Sequence, residues 1–139
     1  MKTILCFIVL LYFGWVTSQD KVQVESPVIA AKVPIGKAIT IDGITIFFKA
    51  VTEDSRCPLG VTCIWAGRAK VIVEVKSKGQ EIQKKEIIFG QTIGGEIADN
   101  TVYDYGDSSL RAFSIEPYPK YEKITDVTNY TLLVYKEKK

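Results

Sequence analysis

Two cysteines, Cys57 and Cys63, are the residues of this chain whose spacing most directly indicates a chemistry. They enclose the segment Pro58-Leu59-Gly60, and this order fits a type I turn that begins at Cys57. Such a reversal brings the two cysteines within bridging distance, and a disulfide is the default pairing in an exported chain. The sequence therefore predicts that Cys57 and Cys63 form a structural clip across a short loop.

Three other interpretations of the cysteine pair are weaker. A redox dithiol prefers the Cys-x-x-Cys spacing beside a helix start, whereas more residues separate Cys57 from Cys63. A zinc site needs three or four ligands, and carboxylates would have to complete it because the chain has no histidine. An immunoglobulin-type disulfide joins cysteines that lie far apart in sequence. We therefore expect a structural disulfide, no metal and no cofactor.

The absence of histidine also removes Ser-His-Asp and Cys-His catalysis and imidazole general bases. Paired carboxylates of the kind used in glycoside hydrolysis remain. Asp99, Asp104 and Asp107 lie in a glycine-rich segment where they could cluster, although aspartates also suit turns. No motif places an acidic pair, so the sequence predicts a protein that is not an enzyme, and a small carboxylate-based hydrolase is the weaker alternative.

Four residues are candidates for binding: Arg56, Trp65, Tyr103 and Tyr105. Trp65 follows the clip, the two tyrosines lie in an irregular region, and aromatic rings with a polar tip suit a glycan or a protein interface. The alternative is that these rings pack against the edge of the core. Arg56 is either an exposed contact for a partner or a brace for the turn that Asp54 orders.

Alternating apolar and polar residues predict strands on both sides of the clip, at 44–52 and 69–76. The Asp42-Gly43 pair is typical of a type I′ hairpin turn. The apolar residues of 81–89 change parity, which indicates a bulge or a change of face. Further strand segments are expected at 22–24, 28–33, 37–41, 101–105, 110–116 and 128–136.

These segments amount to about seven or eight short strands with turn signals between them and no convincing helix. This pattern is typical of an antiparallel β-sandwich with Greek-key, immunoglobulin-like connections, and a closed β-barrel is the alternative. Residues 19–139 are long enough for a single domain with its own core.

The first residues resemble a signal peptide. Lys2 gives a positive start, an apolar run extends from Ile4 to Val16, and Val16-Thr17-Ser18 fits a cleavage site. The run is shorter than the roughly 20 residues that span a bilayer. We expect residues 1–18 to be removed and the rest to be exported, either periplasmic or extracellular, with no transmembrane segment.

The charges of the chain are nearly balanced, with a formal net charge of +2. Basic residues alternate with acidic ones, and no basic stripe is present. Because nucleic-acid binding depends on such a stripe, nucleic acid is not an expected partner.

The clip segment also carries a resemblance to known sequences. Residues 54–71, DSRCPLGVTCIWAGRAKV, contain a DSRCPxxVxCxWAG motif that resembles an uncharacterised family of small exported bacterial proteins, of the kind found in Bacteroidota. The segments SIEPYPK (114–120) and NYTLLV (129–134) resemble the downstream strands of that group. The resemblance implies an exported β-domain and supplies no catalytic residue.

These observations favour a non-enzymatic exported domain that is a binding module or is associated with the envelope. Its partner would be an unknown protein or glycan in the envelope. The alternative is a protease-inhibitor-like protein that presents the Cys57–Cys63 loop.

Overall fold

The structure is a computed structural model that describes residues 30–139. The predicted signal peptide, its cleavage site and the expected strand segment at 22–24 lie outside the described residues. The described part is all-β, apart from one 3-10 turn at Val127–Asn129. The strands are β1 (Ala31–Pro34), β2 (Ala38–Ile41), β3 (Ile44–Asp54), β4 (Arg68–Lys76), β5 (Gln83–Gly90), β6 (Thr101–Asp104), β7 (Ser108–Glu116) and β8 (Thr131–Lys138).

The eight strands form two antiparallel sheets of four strands each, in the orders β1-β8-β7-β6 and β2-β3-β4-β5. The sheets are not closed into a barrel, which confirms the predicted β-sandwich. Among the described strands, β1 and β8 are the only paired neighbours that do not follow one another in sequence. The connections are therefore simpler than the Greek-key, immunoglobulin-like order that we expected.

The core lies between the two sheets and follows from the alternation of side chains along each strand. In β4, Ala69, Val71, Val73 and Val75 are buried, as predicted, because alternate residues of a strand point to the same face. Each fully buried valine or isoleucine stabilises the fold by roughly 1.5–3 kcal/mol. The largest fully buried side chains are Phe48, Ile46, Ile87, Leu110, Ile115 and Leu132.

The hairpin between β2 and β3 has the turn that its sequence predicts. Asp42 and Gly43 have φ angles of 49° and 82°, and Ile41 pairs with Ile44 across the turn. Two positive φ values at the central residues are the signature of a type I′ turn.

The change of parity within 81–89 had two interpretations, a bulge or a change of face, and the bulge is wrong. β5 pairs with β4 without a shift of register, whereas shifts occur in β3, between Phe48 and Ala50. The apolar pattern of β5 loses its parity for another reason. The adjacent residues Ile87 and Ile88 are both buried, so that β5 is covered on both faces at this point.

The register places the connections at two ends of the sandwich. Four connections begin at one end, at 35–37, 55–67, 91–100 and 117–130. Of these, residues 55–67, here called the clip loop, and residues 117–130, called the proline loop, are together named the loop end. The turn end carries the connections 42–43, 77–82 and 105–107. No helix in residues 30–139 is long and apolar enough to cross a membrane.

Candidate functional site

The clip loop begins where β3 ends, and its two arms remain paired before the loop opens. Ser55 N donates to Arg68 O (2.8 Å), and Cys57 N donates to Ala66 O (2.9 Å). Beyond this narrow base, Cys57 and Cys63 form a disulfide with a Cα–Cα distance of 5.8 Å. The predicted disulfide clip is thereby confirmed.

The base of the clip loop requires a glycine at position 67. Gly67 has a φ of +71°, and a Cβ added there would lie 1.8 Å from the carbonyl oxygen of Ser55. No side chain can occupy that space, and the positive φ would strain any residue except glycine. Gly67 therefore allows the two arms of the loop to approach each other closely.

Arg56 holds the clip loop against the opposite sheet. Its Nε and Nη2 each donate to a carboxylate oxygen of Asp54 at 2.7 Å, while its other contacts are to the carbonyl oxygens of Ile115 (2.9 Å) and Pro117 (3.1 Å). The guanidinium also lies 4.8 Å from the ring centroid of Tyr118. Because the side chain is only 9% exposed, Arg56 has the geometry of a brace rather than of an exposed contact.

Asp54 joins this brace to the last residue of the proline loop, Tyr130, whose hydroxyl donates to Asp54 Oδ2 (2.8 Å). Burial acts to raise the pKa of Asp54, but hydrogen bonds from Arg56 and Tyr130 outweigh it and hold this pKa below its usual value. Burial, followed by the hydrogen bond to Asp54, raises the pKa of Tyr130 to about 12. Asp54 is therefore a charged acceptor and Tyr130 a neutral donor at neutral pH.

A second cluster of charges secures the segment beside the base of the clip loop. Arg68 donates to Glu53 (2.9 Å) and to Glu96 (2.5 Å), and Lys70 Nζ donates to Glu96 at 2.9 Å. Hydrogen bonds from Lys70, from the backbone of Ile93 and from Arg68 lower the pKa of Glu96 to about 2. Glu96 thus remains charged at neutral pH and ties residues 91–100 to β4.

The proline loop lies directly beside the clip loop. Leu59 N donates to Pro119 O (2.9 Å), and Tyr121 N donates to Leu59 O (3.2 Å), so that the two loops form a short parallel bridge. Asp126 then caps the 3-10 turn by accepting from Thr128 N (2.9 Å). The bridge and the Arg56 contacts hold the two loops side by side.

The clip loop and the proline loop expose many large apolar side chains. Trp65 is 73% exposed, and Ile64 and Ile124 are 93% and 95% exposed. Of the twelve large apolar side chains that are exposed in the described chain, eight lie on these two loops, so exposure is concentrated at the loop end. The eight are Leu59, Val61, Ile64, Trp65, Tyr118, Tyr121, Ile124 and Val127.

The other two binding candidates lie at the turn end and are packed. The rings of Tyr103 and Tyr105 meet edge to face with centroids 5.0 Å apart, and both pack against the core. The Tyr105 hydroxyl donates to Ile41 O (3.2 Å), while that of Tyr103 lies 3.4 Å from the hydroxyl of Ser77. The four candidates therefore do not form one site, because Arg56 and Trp65 are at the opposite end.

Sequence reasoning missed Ile64 and Ile124, the two most exposed apolar residues. Each stands in a loop, and the residue two positions before it is polar: Thr62 before Ile64 and Glu122 before Ile124. An isolated isoleucine within a turn-rich segment was the available signal, since core residues usually belong to a periodic pattern.

The three aspartates that could have clustered, Asp99, Asp104 and Asp107, each have different partners. Asp104 accepts from Gly106 N (2.7 Å) and pairs with Lys139, Asp99 accepts from Thr101 N (2.8 Å), and Asp107 accepts from the hydroxyl of Ser108 (2.8 Å). Within residues 30–139, no group of three cysteine or carboxylate side chains is arranged to hold a metal ion. These contacts are those of turn residues.

Comparisons of the chain with protein-family models, with curated proteins and with solved structures find no match. The function of the chain is therefore inferred from the geometry of the loop end.

Proposed function

We propose that this protein is a non-enzymatic, exported binding module that contacts its partner through the loop end. The observation that carries the proposal is the concentration of exposed apolar side chains on two loops that are bonded to each other. Soluble proteins rarely expose large contiguous apolar patches, and those that do usually use them for interaction. Tryptophan and tyrosine are also enriched where interfaces bind most strongly.

The rigidity of the loop end supports the same proposal. The disulfide closes the clip loop, and Arg56 fastens it to one backbone carbonyl of the other sheet and one of the proline loop. Leu59 bonds the clip loop to the proline loop as well. A surface that is already ordered loses less conformational entropy on binding, which increases affinity. The apolar side chains are therefore held outward on a fixed backbone.

Export is part of the proposal. The disulfide is consistent with an oxidising compartment, in which structural disulfides persist. The expected signal peptide and the resemblance to small exported bacterial proteins point to the same location.

The proposal is tested by a pull-down from envelope and secreted fractions with the purified protein and two variants. Trp65→Ala removes an aromatic that is 73% exposed on the clip loop, whereas Phe113→Ala removes one that is 65% exposed on β7. We expect the Trp65 variant to lose a specific partner by roughly tenfold or more, as for a hot-spot residue, and the Phe113 variant to retain it. Equal retention by both variants, with circular dichroism showing both folded, would contradict the proposal.

The protease-inhibitor alternative is supported by Leu59, which is 57% exposed on a loop closed by a disulfide. However, the N–H and C=O of Leu59 are both bonded to the proline loop. They are therefore occupied and cannot pair with an enzyme as an added strand would. Incubation with exported proteases distinguishes the two functions, since the alternative requires inhibition without rapid cleavage between Cys57 and Cys63.

A further inference from the structure

We infer that the partner of the loop end is a lipid bilayer with zwitterionic headgroups, into which the tips of the two loops insert. The inference rests on the proposed function and names the class of its partner. The partner is thus neither the protein nor the glycan that the sequence suggested.

The first reason is the extent to which the apolar side chains project. Ile64 and Ile124 are 93% and 95% exposed, so each makes almost no contact with its own protein. A protein partner would need a separate pocket to enclose each projecting side chain. A bilayer needs none, because the interfacial region accommodates apolar groups of any shape and binding grows with the apolar area buried.

The second reason is the distribution of charge. Residues 57–67, which carry Ile64 and Trp65, contain no charged side chain, so their insertion requires no ion to lose its water. The proline loop contains two cations, Lys120 and Lys123, and two anions, Glu122 and Asp126. This balanced set complements a zwitterionic headgroup layer, in which both signs of charge are present, rather than an anionic surface.

The third reason is that the loop end has amphipathic aromatic residues, and that some of its backbone N–H groups are already hydrogen-bonded within the protein. Trp65, Tyr118 and Tyr121 are exposed, and these two residue types concentrate at the boundary between hydrocarbon and water. Cys57 and Leu59 have their backbone N–H groups bonded within the protein. This lowers the cost of moving the loop away from water, since unbonded backbone groups are unfavourable in lipid.

Vesicles of phosphatidylcholine provide the test, with the protein purified after export and its N-terminus determined by mass spectrometry. Removal of residues 1–18 leaves Trp65 as the sole tryptophan, so its fluorescence reports on the clip loop directly. We expect a blue shift of the emission and co-sedimentation with the vesicles. Salt or added anionic lipid should change the partition coefficient by less than about threefold, because the charges are balanced.

Variants locate the contact. Ile64→Ser combined with Ile124→Ser should lower the partition coefficient by roughly tenfold or more, because two apolar side chains no longer leave water. The matched control combines Ile82→Ser with Phe113→Ser, two residues that are 60% and 65% exposed outside both loops, and should bind as the unchanged protein does.

The inference would be overturned if phosphatidylcholine vesicles neither shifted the tryptophan emission nor carried the protein down on sedimentation. It would also be overturned if binding required anionic lipid, or if both double variants lowered the partition coefficient equally. The proposed function would survive these results if the pull-down still yielded a protein or glycan partner that Trp65→Ala loses. If Trp65→Ala affects neither the pull-down nor the vesicle binding, both proposals fail.

Discussion

The loop end and the turn end contain similar residues and use them in opposite ways. At the turn end, Tyr105 packs against Tyr103, donates to Ile41 O (3.2 Å) and is covered by Lys136, whose ammonium lies 4.9 Å from the ring centroid. At the loop end, Trp65 is 73% exposed on a loop that is tied at several points. Aromatic residues close the core at one end and project into solvent at the other.

The difference follows from what the polar groups do at each end. At the turn end, charged side chains pair across short connections, as Lys136 does with Asp42 (2.7 Å). At the loop end, the polar groups of Asp54, Arg56 and Tyr130 hold the loop backbone in place and leave the apolar tips uncovered. At the loop end, the exposed apolar side chains therefore project from a backbone that is held in place.

The two ends should differ most in how much stability is lost when a glycine is replaced, and two glycines with similar positive φ values allow the comparison. Gly67→Ala at the loop end would place a Cβ 1.8 Å from Ser55 O, whereas Gly79→Ala at the turn end meets nothing within 4 Å. We expect Gly79→Ala to lower the free energy of unfolding by about 1–2 kcal/mol from backbone strain alone. Gly67→Ala should lower it by about 4 kcal/mol or more, because the arms must separate. Urea denaturation measures both changes. Equal decreases in the free energy of unfolding would show that the base of the clip loop rearranges at little energetic cost.

A smaller difference is expected in how much the ion pairs at the two ends contribute to the free energy of unfolding. Asp54 and Arg56 have side chains that are 10% and 9% exposed, whereas those of Asp42 and Lys136 are 54% and 44% exposed. Asp54→Asn leaves a buried guanidinium without its charged partner and should cost about 3 kcal/mol. Asp42→Asn should cost less than about 1 kcal/mol, since exposed pairs contribute little.

The dependence of the free energy of unfolding on pH tests the same Asp54–Arg56 pair. The pKa of Asp54 is lowered in the folded protein, so Asp54 stabilises the fold above its unfolded pKa, near 4. This contribution decreases as the pH falls from about 4 through the lower pKa of the folded state. The stability difference between the unchanged protein and Asp54→Asn should therefore shrink on acidification. A constant difference at every pH would exclude the charge of Asp54 as its cause.

The sandwich and the disulfide could be predicted because each depends on short-range patterns. Alternation at Val71, Val73 and Val75 fixes the buried face of β4, and the Asp42-Gly43 pair fixes the hairpin turn. The order of strands within the sheets depends instead on long-range pairing, such as that of β1 with β8. Local sequence does not encode this pairing, and the expected Greek-key order was not found.

The candidate site could be predicted only in part. The clip and Trp65 belong to one sequence segment. The proline loop, however, contacts this segment partly through Arg56, whose two carbonyl partners, Ile115 and Pro117, lie about 60 residues further along the chain. Tyr105 also shows the limit of residue type as a guide. Its ring lies in a loop region, as Trp65 does, yet the register of β6 and β7 directs it onto the core.

The smallest predicted effects bear most directly on the contrast between the two ends. Trp65→Ala should change the free energy of unfolding by less than about 0.5 kcal/mol, because a side chain that is 73% exposed stabilises the fold little. Tyr105→Phe should lower it by about 1 kcal/mol, because the carbonyl of Ile41 loses its donor. Thermal or urea denaturation of the two variants in parallel measures both changes. If the tryptophan substitution proved the more destabilising, Trp65 would be a structural residue, and a binding defect in its variant would no longer identify the loop end as the contact surface.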